Sequence, residues 1–364
     1  MDSIAAVPDP SRRSKTPIIG PSAIPVMEQM FWVQAEIAPG TEVGVETPEG
    51  VRLLDRTKPG PGQEFSRFYF RSDRGISGGH ITLSPAGGAP ITVPLSVRTY
   101  REDIEERIGQ IPGLDPAVRK RGKSYFTPAM IAVAKENMAA YPALGEGIQR
   151  KTRFDGLSDL QLWEALPSWN VPRQCYSNWP CPKCGEKIFS KSGFYPWEKS
   201  AANPFKCKCP TCGQLFPTND YRNDDFTSGL YPDDGWGYDP GTGQRSDFHG
   251  WIAHYNHHVA WHGSGSHLQR LGLRYLLYGD AAAAHAAGML LARMAYVYPG
   301  MDMRWQQVRT KYLRPGRALI DGNWERNDLL VPALQTYDAI FDFLDTDTQL
   351  VEFLHAKDPS IRTA

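Results

Sequence analysis

The chain lacks an excess of charge of either sign, since 40 lysines and arginines balance 40 aspartates and glutamates among its 364 residues. A dedicated nucleic-acid-binding domain is usually strongly basic, so this balance argues against that class. The chain also lacks an apolar run of the roughly 20 residues that a membrane-spanning helix needs. Its N-terminal stretch, MDSIAAVPDPSRRSK, lacks the apolar segment of a secretory signal. We therefore expect a globular protein whose compartment the sequence leaves open.

Glycine and proline are frequent, at 34 and 30 residues, which indicates plentiful loops. Residues 1–25 are rich in proline, serine and alanine and are predicted to be a flexible N-terminus. Residues 26–99 are predicted to be a β-rich module, in which apolar and polar residues alternate from about Gly40 to Thr99, for example around Val93, Leu95 and Val97. A period of two between turn clusters predicts antiparallel strands, here in a β-rich, β-sandwich-like module.

The hydrophobic period changes to that of helices after residue 99. Residues 100–169 are predicted to be a helical linking segment, in which Ile104, Ile108 and Ile111 share one face. Residues 250–364 contain several helix-length apolar stripes joined by short links with glycine or proline. Helices joined by short links pack as antiparallel neighbours. We therefore predict a mainly α fold, whose helical hairpins form an incomplete (α/α) toroid.

Regular periodicity is missing from residues 170–249, predicted to be a zinc-knuckle and tryptophan-rich insert. Two Cys-x-x-Cys-Gly knuckles contain four of the six cysteines: Cys181, Cys184, Cys209 and Cys212. Such pairs bind one Zn²⁺ tetrahedrally through four thiolates. Two disulfides are the competing interpretation, and Cys207 is an alternative ligand to Cys209. Because four protein ligands leave no open position for water, we expect the zinc to be structural.

Histidines cluster in the segment HYNHHVAWH, where His254, His258 and His262 are spaced four residues apart. On an α-helix these side chains share a face, and two of them can chelate a metal. The glutamate of an HExxH motif is absent, so a zinc protease is disfavoured, and a hydrolase that uses these histidines with a metal is the weakest alternative. Five residues of this region are predicted to contact a bound sugar: Trp251, Asn256, His257, Trp261 and His262.

Two other short motifs have simpler explanations. Gly122-Lys123-Ser124 imitates the end of a phosphate-binding loop, but Ala117 stands where the first glycine is required, so we exclude a P-loop NTPase. The pair Asp233-Asp234 falls in the glycine- and tryptophan-rich loop PDDGWGY. Aspartates in such a loop are typical of turns, so we do not interpret this pair as catalytic.

A resemblance to a known family rests on six segments: CPKCG, FYPW, KCKCPTCGQLFPTNDY, DDGWGY, RYLLYGD and LLARMAYVYPGMD. Together they resemble heparinase II/III-like polysaccharide lyases, which are related to alginate lyases. The resemblance covers about residues 100–360, and the knuckles with FPTNDY are its most specific part. It implies β-elimination on a uronic-acid-containing polysaccharide, so an acidic polysaccharide is the expected partner. In this family an asparagine and a histidine neutralise the uronate carboxylate, a tyrosine or histidine removes the C5 proton, and a tyrosine protonates the leaving oxygen.

Asn256 and His257 have the residue types of the neutralising pair but stand in an early hairpin, so the sequence assigns no catalytic residue. The chain ends at Ala364 after fewer helices than a closed toroid needs. We therefore expect an N-terminal portion of a longer enzyme, or a product that lacks its catalytic half. The resemblance also favours a periplasmic or extracellular location. The alternative function is a non-enzymatic zinc-ribbon module that binds nucleic acid or protein.

Overall fold

The structure is a computed structural model that describes residues 16–57, 65–109, 120–168, 171, 173, 177–193, 195–238, 249–298, 325–359 and 361. The chain divides into two compact units, each built from separate stretches. Of the described residues, unit 1 holds those up to Glu106 and those from 171 to Tyr255, and unit 2 holds the rest. Cys175 and the first fifteen residues of the N-terminal segment lie outside the described residues.

Strands occur only in unit 1 within the described part of the chain. They are β1 (Ile18–Gly20), β2 (Met30–Ala35), β3 (Val43–Glu46), β4 (Val51–Arg56), β5 (Ser66–Ser72), β6 (Ile76–Pro85), β7 (Ile91–Val97), β8 (Glu198–Lys199), β9 (Cys207–Lys208) and β10 (Leu215–Phe216). They form three antiparallel sheets with the strand orders β1-β2-β5-β4, β3-β6-β7 and β10-β9-β8. Because β1 pairs with β2, part of the segment expected to be flexible belongs to a sheet.

The first two sheets share one hydrophobic core. Phe68 and Phe70 of β5 face this core from one sheet, and Val93, Leu95 and Val97 of β7 face it from the other. Successive side chains of a strand point to opposite faces, so the period-two pattern of the sequence produces this burial. The two sheets form the sandwich-like module that the alternation predicts.

The knuckle-containing part of unit 1 attaches to this module through charged side chains of β5. Arg67 Nη1 lies 2.8 Å from Asp234 Oδ2, and the hydroxyl of Tyr69 donates to the same oxygen at 2.9 Å. Arg71 holds Asp224 with both terminal nitrogens, at 2.9 and 2.6 Å. Paired guanidinium–carboxylate contacts fix orientation as well as distance. The acidic loop that follows the knuckles is thereby positioned on the β module.

Helices occur in both units. They are α1 (Tyr100–Gly109), α2 (Pro128–Ala140), α3 (Pro142–Gln149), α4 (Asp159–Glu164), α5 (Phe189–Ser192), α6 (Trp251–Tyr255), α7 (Gly263–Tyr278), α8 (Ala281–Val297), α9 (Val331–Leu344) and α10 (Thr348–Lys357). Two short 3₁₀ turns, Glu186–Ile188 and Tyr221–Asn223, lie in unit 1. Two π-helical segments, Asn256–His262 and Arg326–Leu330, lie in unit 2, where they precede α7 and α9.

Two glycines of α7 allow a close approach of the chain around α9. A Cβ atom on Gly265 would lie 1.7 Å from the backbone oxygen of Asp328, and one on Gly272 would lie 3.1 Å from the Cα of Thr336. Residues seven apart lie on the same face of a helix, so both glycines face α9 and the segment before it. This packing brings the second π-helical segment against the first.

The prediction of a mainly α fold with an incomplete (α/α) toroid is wrong. Among the described residues about 42% are helical and 20% are in strands, and the three antiparallel sheets make this a mixed α/β fold. In unit 2, α7, α8 and α9 each contact the other two. Helical periodicity identifies the face of a helix that is buried, but it does not identify the element that covers this face. Predicting a ring of hairpins requires knowing which element covers each face, and the sequence pattern does not contain this information.

Candidate functional site

The four knuckle cysteines converge at one point in unit 1, and their sulfur atoms all lie within 4.8 Å of one another. The Sγ atoms of Cys181 and Cys212 are 3.9 Å apart, and those of Cys184 and Cys209 are 3.5 Å apart. Tetrahedral Zn–S bonds of about 2.3 Å place sulfur atoms about 3.8 Å apart, whereas a disulfide joins them at about 2.05 Å. All four are free cysteines, close enough together to bind one metal ion.

The glycine that follows each knuckle shapes it. Gly185 and Gly213 have φ angles of 60° and 74°, in the left-handed region that glycine adopts at no steric cost. In this conformation the Gly185 N–H donates to the carbonyl of Cys181 at 2.8 Å, and the Gly213 N–H donates to that of Cys209 at 2.9 Å. The repeated Cys-x-x-Cys-Gly pattern therefore produces the same turn twice.

Burial and backbone N–H groups act in opposite directions on these thiols. Burial raises the pKa of Cys181 far above its ordinary value and raises that of Cys184 as well. Burial also acts on Cys209, but the N–H groups of Cys212 and Thr211 outweigh it and lower the pKa of that thiol. Buried thiolates need nearby positive charge, and a bound cation supplies it by displacing the protons.

Cys207 lies outside the cluster. Its thiol is buried and donates to the backbone carbonyl of Trp251, with an S–O distance of 3.4 Å. Burial also raises the pKa of this thiol far above its ordinary value. Of the two cysteines considered for the second knuckle, Cys209 is therefore the one in position to bind the ion.

Trp251, one of the predicted sugar contacts, lies in an aromatic core of unit 1. Its ring stacks on Phe216 at a centroid distance of 5.1 Å and on His249 at 4.8 Å. Trp197 meets it edge to face at 5.9 Å. The side chain of Trp251 is fully buried, so its position explains packing, and its contact with a sugar stays a prediction.

The other four predicted sugar contacts share the π-helical segment Asn256–His262 in unit 2. A π-helix bonds residue i to i+5 instead of i+4, so different side chains meet. The rings of His257 and His262, five residues apart, have centroids 4.2 Å apart, whereas those of His258 and His262 are 6.5 Å apart. The α-helical face predicted from His254, His258 and His262 is therefore replaced by a His257–His262 pair.

These residues are brought together in the interior. Asn256, His257 and Trp261 are fully buried, and the side chain of His262 is 7% exposed. Arg153 supports the end of the segment, because its Nη2 donates to the carbonyl of Ala260 at 3.2 Å and to Ser264 Oγ at 2.6 Å. The sequence thus predicted the cluster, while contact of its members with a sugar stays a prediction.

The sequence analysis missed two carboxylates that face His262. Glu325 Oε2 lies 3.8 Å from His262 Nε2, and Asp328 Oδ2 lies 3.8 Å from His262 Nδ1. The side chain of Glu325 is 0% exposed and that of Asp328 is 51% exposed. Both residues lie at the second π-helical segment, more than sixty residues from His262. No short sequence motif links these two residues to His262. Their proximity is seen only in the structure, where Asp328 approaches Gly265 closely.

Comparison of the chain with protein-family models, with curated proteins and with solved structures finds no match. Among the described residues, no helix has the length and apolar character that crossing a membrane requires. Within the same residues, the four cysteines are the only set of three or more histidine, cysteine or acidic side chains close enough together to hold a metal ion. The geometry of unit 1 thus suits metal binding, and that of the histidine pair suits acid–base chemistry.

Proposed function

We propose that this protein binds or cleaves a uronic-acid-containing polysaccharide, that cleavage is by β-elimination, and that the four cysteines hold a structural zinc ion. The observation that carries the polysaccharide proposal is the grouping of Asn256, His257 and His262 on one buried segment. The resemblance of the sequence to polysaccharide lyases supports the same reaction. An amide N–H and an imidazole N–H are the kind of donors that bind a uronate carboxylate.

The chemistry explains why such donors are needed. In β-elimination a base removes the C5 proton next to the carboxylate, and the C4–O bond breaks. Negative charge develops on the carboxylate as the proton leaves, so donors fixed in advance lower the barrier. Asn256 and His257 are adjacent, and hydrogen bonds are stronger where water is excluded. Because both side chains are fully buried in this structure, the proposal requires the segment to open when a uronate binds. We assign them to the carboxylate and leave the C5 base unassigned.

The zinc proposal follows from the type and number of ligands. Four thiolates in a tetrahedral arrangement are typical of zinc, which is borderline-soft and has no geometric preference of its own. All four positions are filled by protein, so the ion has none left for water or substrate. Its role is therefore to hold the knuckles together in a part of unit 1 with only short strands, short helices and turns.

Polyuronate binding and cleavage test the polysaccharide proposal. We expect the zinc-loaded chain to bind alginate or heparin-type chains in calorimetry, and His257→Gln to weaken binding about tenfold, the loss of one charge-assisted hydrogen bond. His80→Ala, at an exposed histidine of β6, is the matched control. Ultraviolet absorbance of unsaturated product distinguishes cleavage from binding alone. A chain that neither binds nor cleaves any acidic polysaccharide would contradict the proposal.

A zinc-ribbon module that binds nucleic acid is the second candidate, favoured by one observation. Lys183, Lys187 and Lys191 are all exposed around the first knuckle. A basic surface of this kind attracts phosphate backbones, and such binding weakens steeply with added salt. Duplex or single-stranded DNA in the same calorimetric experiment, at several salt concentrations, separates this candidate from the first.

A further inference from the structure

His262 stands between two carboxylates that differ completely in exposure. Its Nδ1 faces Asp328, whose side chain is 51% exposed, and its Nε2 faces Glu325, whose side chain is 0% exposed. Both nitrogen–oxygen distances are 3.8 Å, about 0.6–1 Å longer than a hydrogen bond of 2.7–3.2 Å. A small movement of each carboxylate therefore completes its own hydrogen bond to His262.

We propose that Asp328, His262 and Glu325 form a proton relay between solvent and the interior of unit 2. A protonated Asp328 carboxyl gives its proton to Nδ1 of His262. The imidazole then releases the proton on Nε2 to the Glu325 carboxylate. One O–H bond and one N–H bond break, one of each forms, and the ring ends as its other tautomer. Rotation of the ring or the reverse transfer resets it.

Imidazole is suited to this position. It accepts a proton at one nitrogen and donates one from the other. Among the described residues, the charged and titratable groups around His262 include the carboxylates of Glu325 and Asp328 and the rings of His257 and His258. They also include Arg153, which donates to the carbonyl of Ala260 at the end of the first π-helical segment. The relay thus runs along the contact between the two π-helical segments. π-Helical distortions of this kind are frequent at functional sites.

The relay deepens the proposed function, on which its role in turnover rests. Each β-elimination takes a proton from C5 of the sugar and gives one to the oxygen that leaves C4. Where different groups make these two transfers, the base must lose its proton to solvent before the next cycle, which is the relay run in reverse from Glu325 to Asp328. A buried carboxylate with a protonatable link to an exposed one provides that route. Among the described residues, the histidine pair and these acids do not form a three-ligand metal site, which favours proton transfer over metal binding.

Infrared spectroscopy after an acid pH jump tests the relay without a substrate. The carboxyl band of Glu325 is assigned from the difference between wild type and Glu325→Gln, in protein labelled with ¹³C at the glutamate carboxyls. We expect His262→Ala to slow protonation of Glu325 about 100-fold, within the usual range for a lost acid–base group, and added imidazole to restore it. Asp328→Asn should slow it less, because water can replace an exposed carboxylate. His80→Ala is the control and should leave the rate unchanged.

Equal protonation rates in wild type and His262→Ala would overturn the relay. A second bound zinc that His262→Ala abolishes would also overturn it, in favour of a metal site. Should His262→Ala fail to fold, His262→Gln and the half-exposed Asp328→Asn provide the same comparison. A relay intact by infrared, in a chain that neither binds nor cleaves polyuronate, would contradict the proposed function and leave the relay standing. Cleavage with the same pH profile in wild type and His262→Ala would overturn the role of the relay in turnover.

Discussion

Asp338 of α9 shows how one carboxylate can organise a segment far away in the chain. Its Oδ1 accepts from the N–H of Ser124 at 2.6 Å, and its Oδ2 accepts from the N–H groups of Tyr125 and Phe126 at 3.0 and 2.9 Å. Lys120 Nζ lies 2.7 Å from Oδ1. This is the GKS-containing segment that imitates a phosphate loop, and its N–H groups bind an internal carboxylate. Burial alone raises the pKa of Asp338, but Lys120 and the three N–H groups outweigh it and hold the pKa well below its usual range.

We expect Asp338→Asn to lower the free energy of unfolding of unit 2 by about 3 kcal/mol, because it removes the buried carboxylate that pairs with the half-buried Lys120 and turns an amide group towards N–H donors. Urea denaturation at neutral pH measures this. Asp342→Asn is the matched control one turn later, because Asp342 is exposed and its contacts with Lys123 and Tyr275 lie near the surface. Surface pairs contribute less than about 1 kcal/mol, so equal losses in the two variants would contradict the assignment.

The residue scale also shows the limit of sequence analysis at the histidine pair. The cysteines were located correctly because their spacing is local and each knuckle needs only five residues. The histidines were recognised as a cluster, but the assumed α-helical winding paired His258 with His262. The actual pair depends on π winding, which accompanies the approach of Asp328 to Gly265. That contact is long-range, so no local pattern contained it.

At the scale of elements, His285 joins three helices of unit 2. It lies in α8, and its Nδ1 contacts Asp347 Oδ2 at 2.8 Å while its Nε2 contacts Asp159 Oδ1 at 3.0 Å. Asp159 lies in the first turn of α4, and Asp347 is the N-cap of α10, where it accepts from the N–H of Leu350 at 3.1 Å. The hydrogen bond to Asp347, followed by that to Asp159, raises the pKa of His285 to about 9 against partial burial. The imidazolium therefore links the starts of two helices.

The pH dependence of unfolding tests this link. Because the folded pKa is above the unfolded value of about 6.5, the stabilisation is complete below about pH 6.5 and is lost as pH rises through the folded pKa. We expect His285→Gln to cost on the order of 1–2 kcal/mol at about pH 6 and much less at about pH 10, after allowance for solvent screening at the exposed side of the site. His355→Gln, at an exposed histidine of α10, is the control. A cost that is the same at both pH values would contradict the link.

Helices were the elements that the sequence predicted best. Pro128 stands at the start of α2, and Ser158 and Asp280 cap α4 and α8, positions that suit these residue types. Caps and periodicity act within one turn or one face, so they can be identified locally. Which helices pack together depends on long-range contacts such as the one between Gly272 and Thr336. Local patterns do not contain these contacts, and the toroid was inferred from local patterns alone.

At the scale of the molecule, unit 1 combines two means of stability. Its β module buries a continuous apolar core between two sheets, whereas the knuckle-containing part has strands of only two residues. Short strands of this kind are not stable by themselves. The aromatic core around Trp251 and the pairs that Arg67 and Arg71 make with the acidic loop contribute, but four thiolates as close together as these sulfur atoms would repel one another unless a cation balanced their charge. The proposed zinc ion supplies that charge.

Removal of the metal should therefore affect the knuckles first. A structural zinc site contributes on the order of 10 kcal/mol at neutral pH, so we expect one zinc per chain by mass spectrometry and rapid tryptic cleavage at Lys183, Lys187 and Lys191 once a chelator removes it. Cys184→Ser should lose the zinc and show this cleavage without a chelator. Cys207→Ser is the matched control, because Cys207 donates to a backbone carbonyl outside the cluster, and it should keep the zinc. A metal-free chain with an unchanged tryptic pattern would mean that the aromatic core holds the knuckles and that the ion, if bound, has another role.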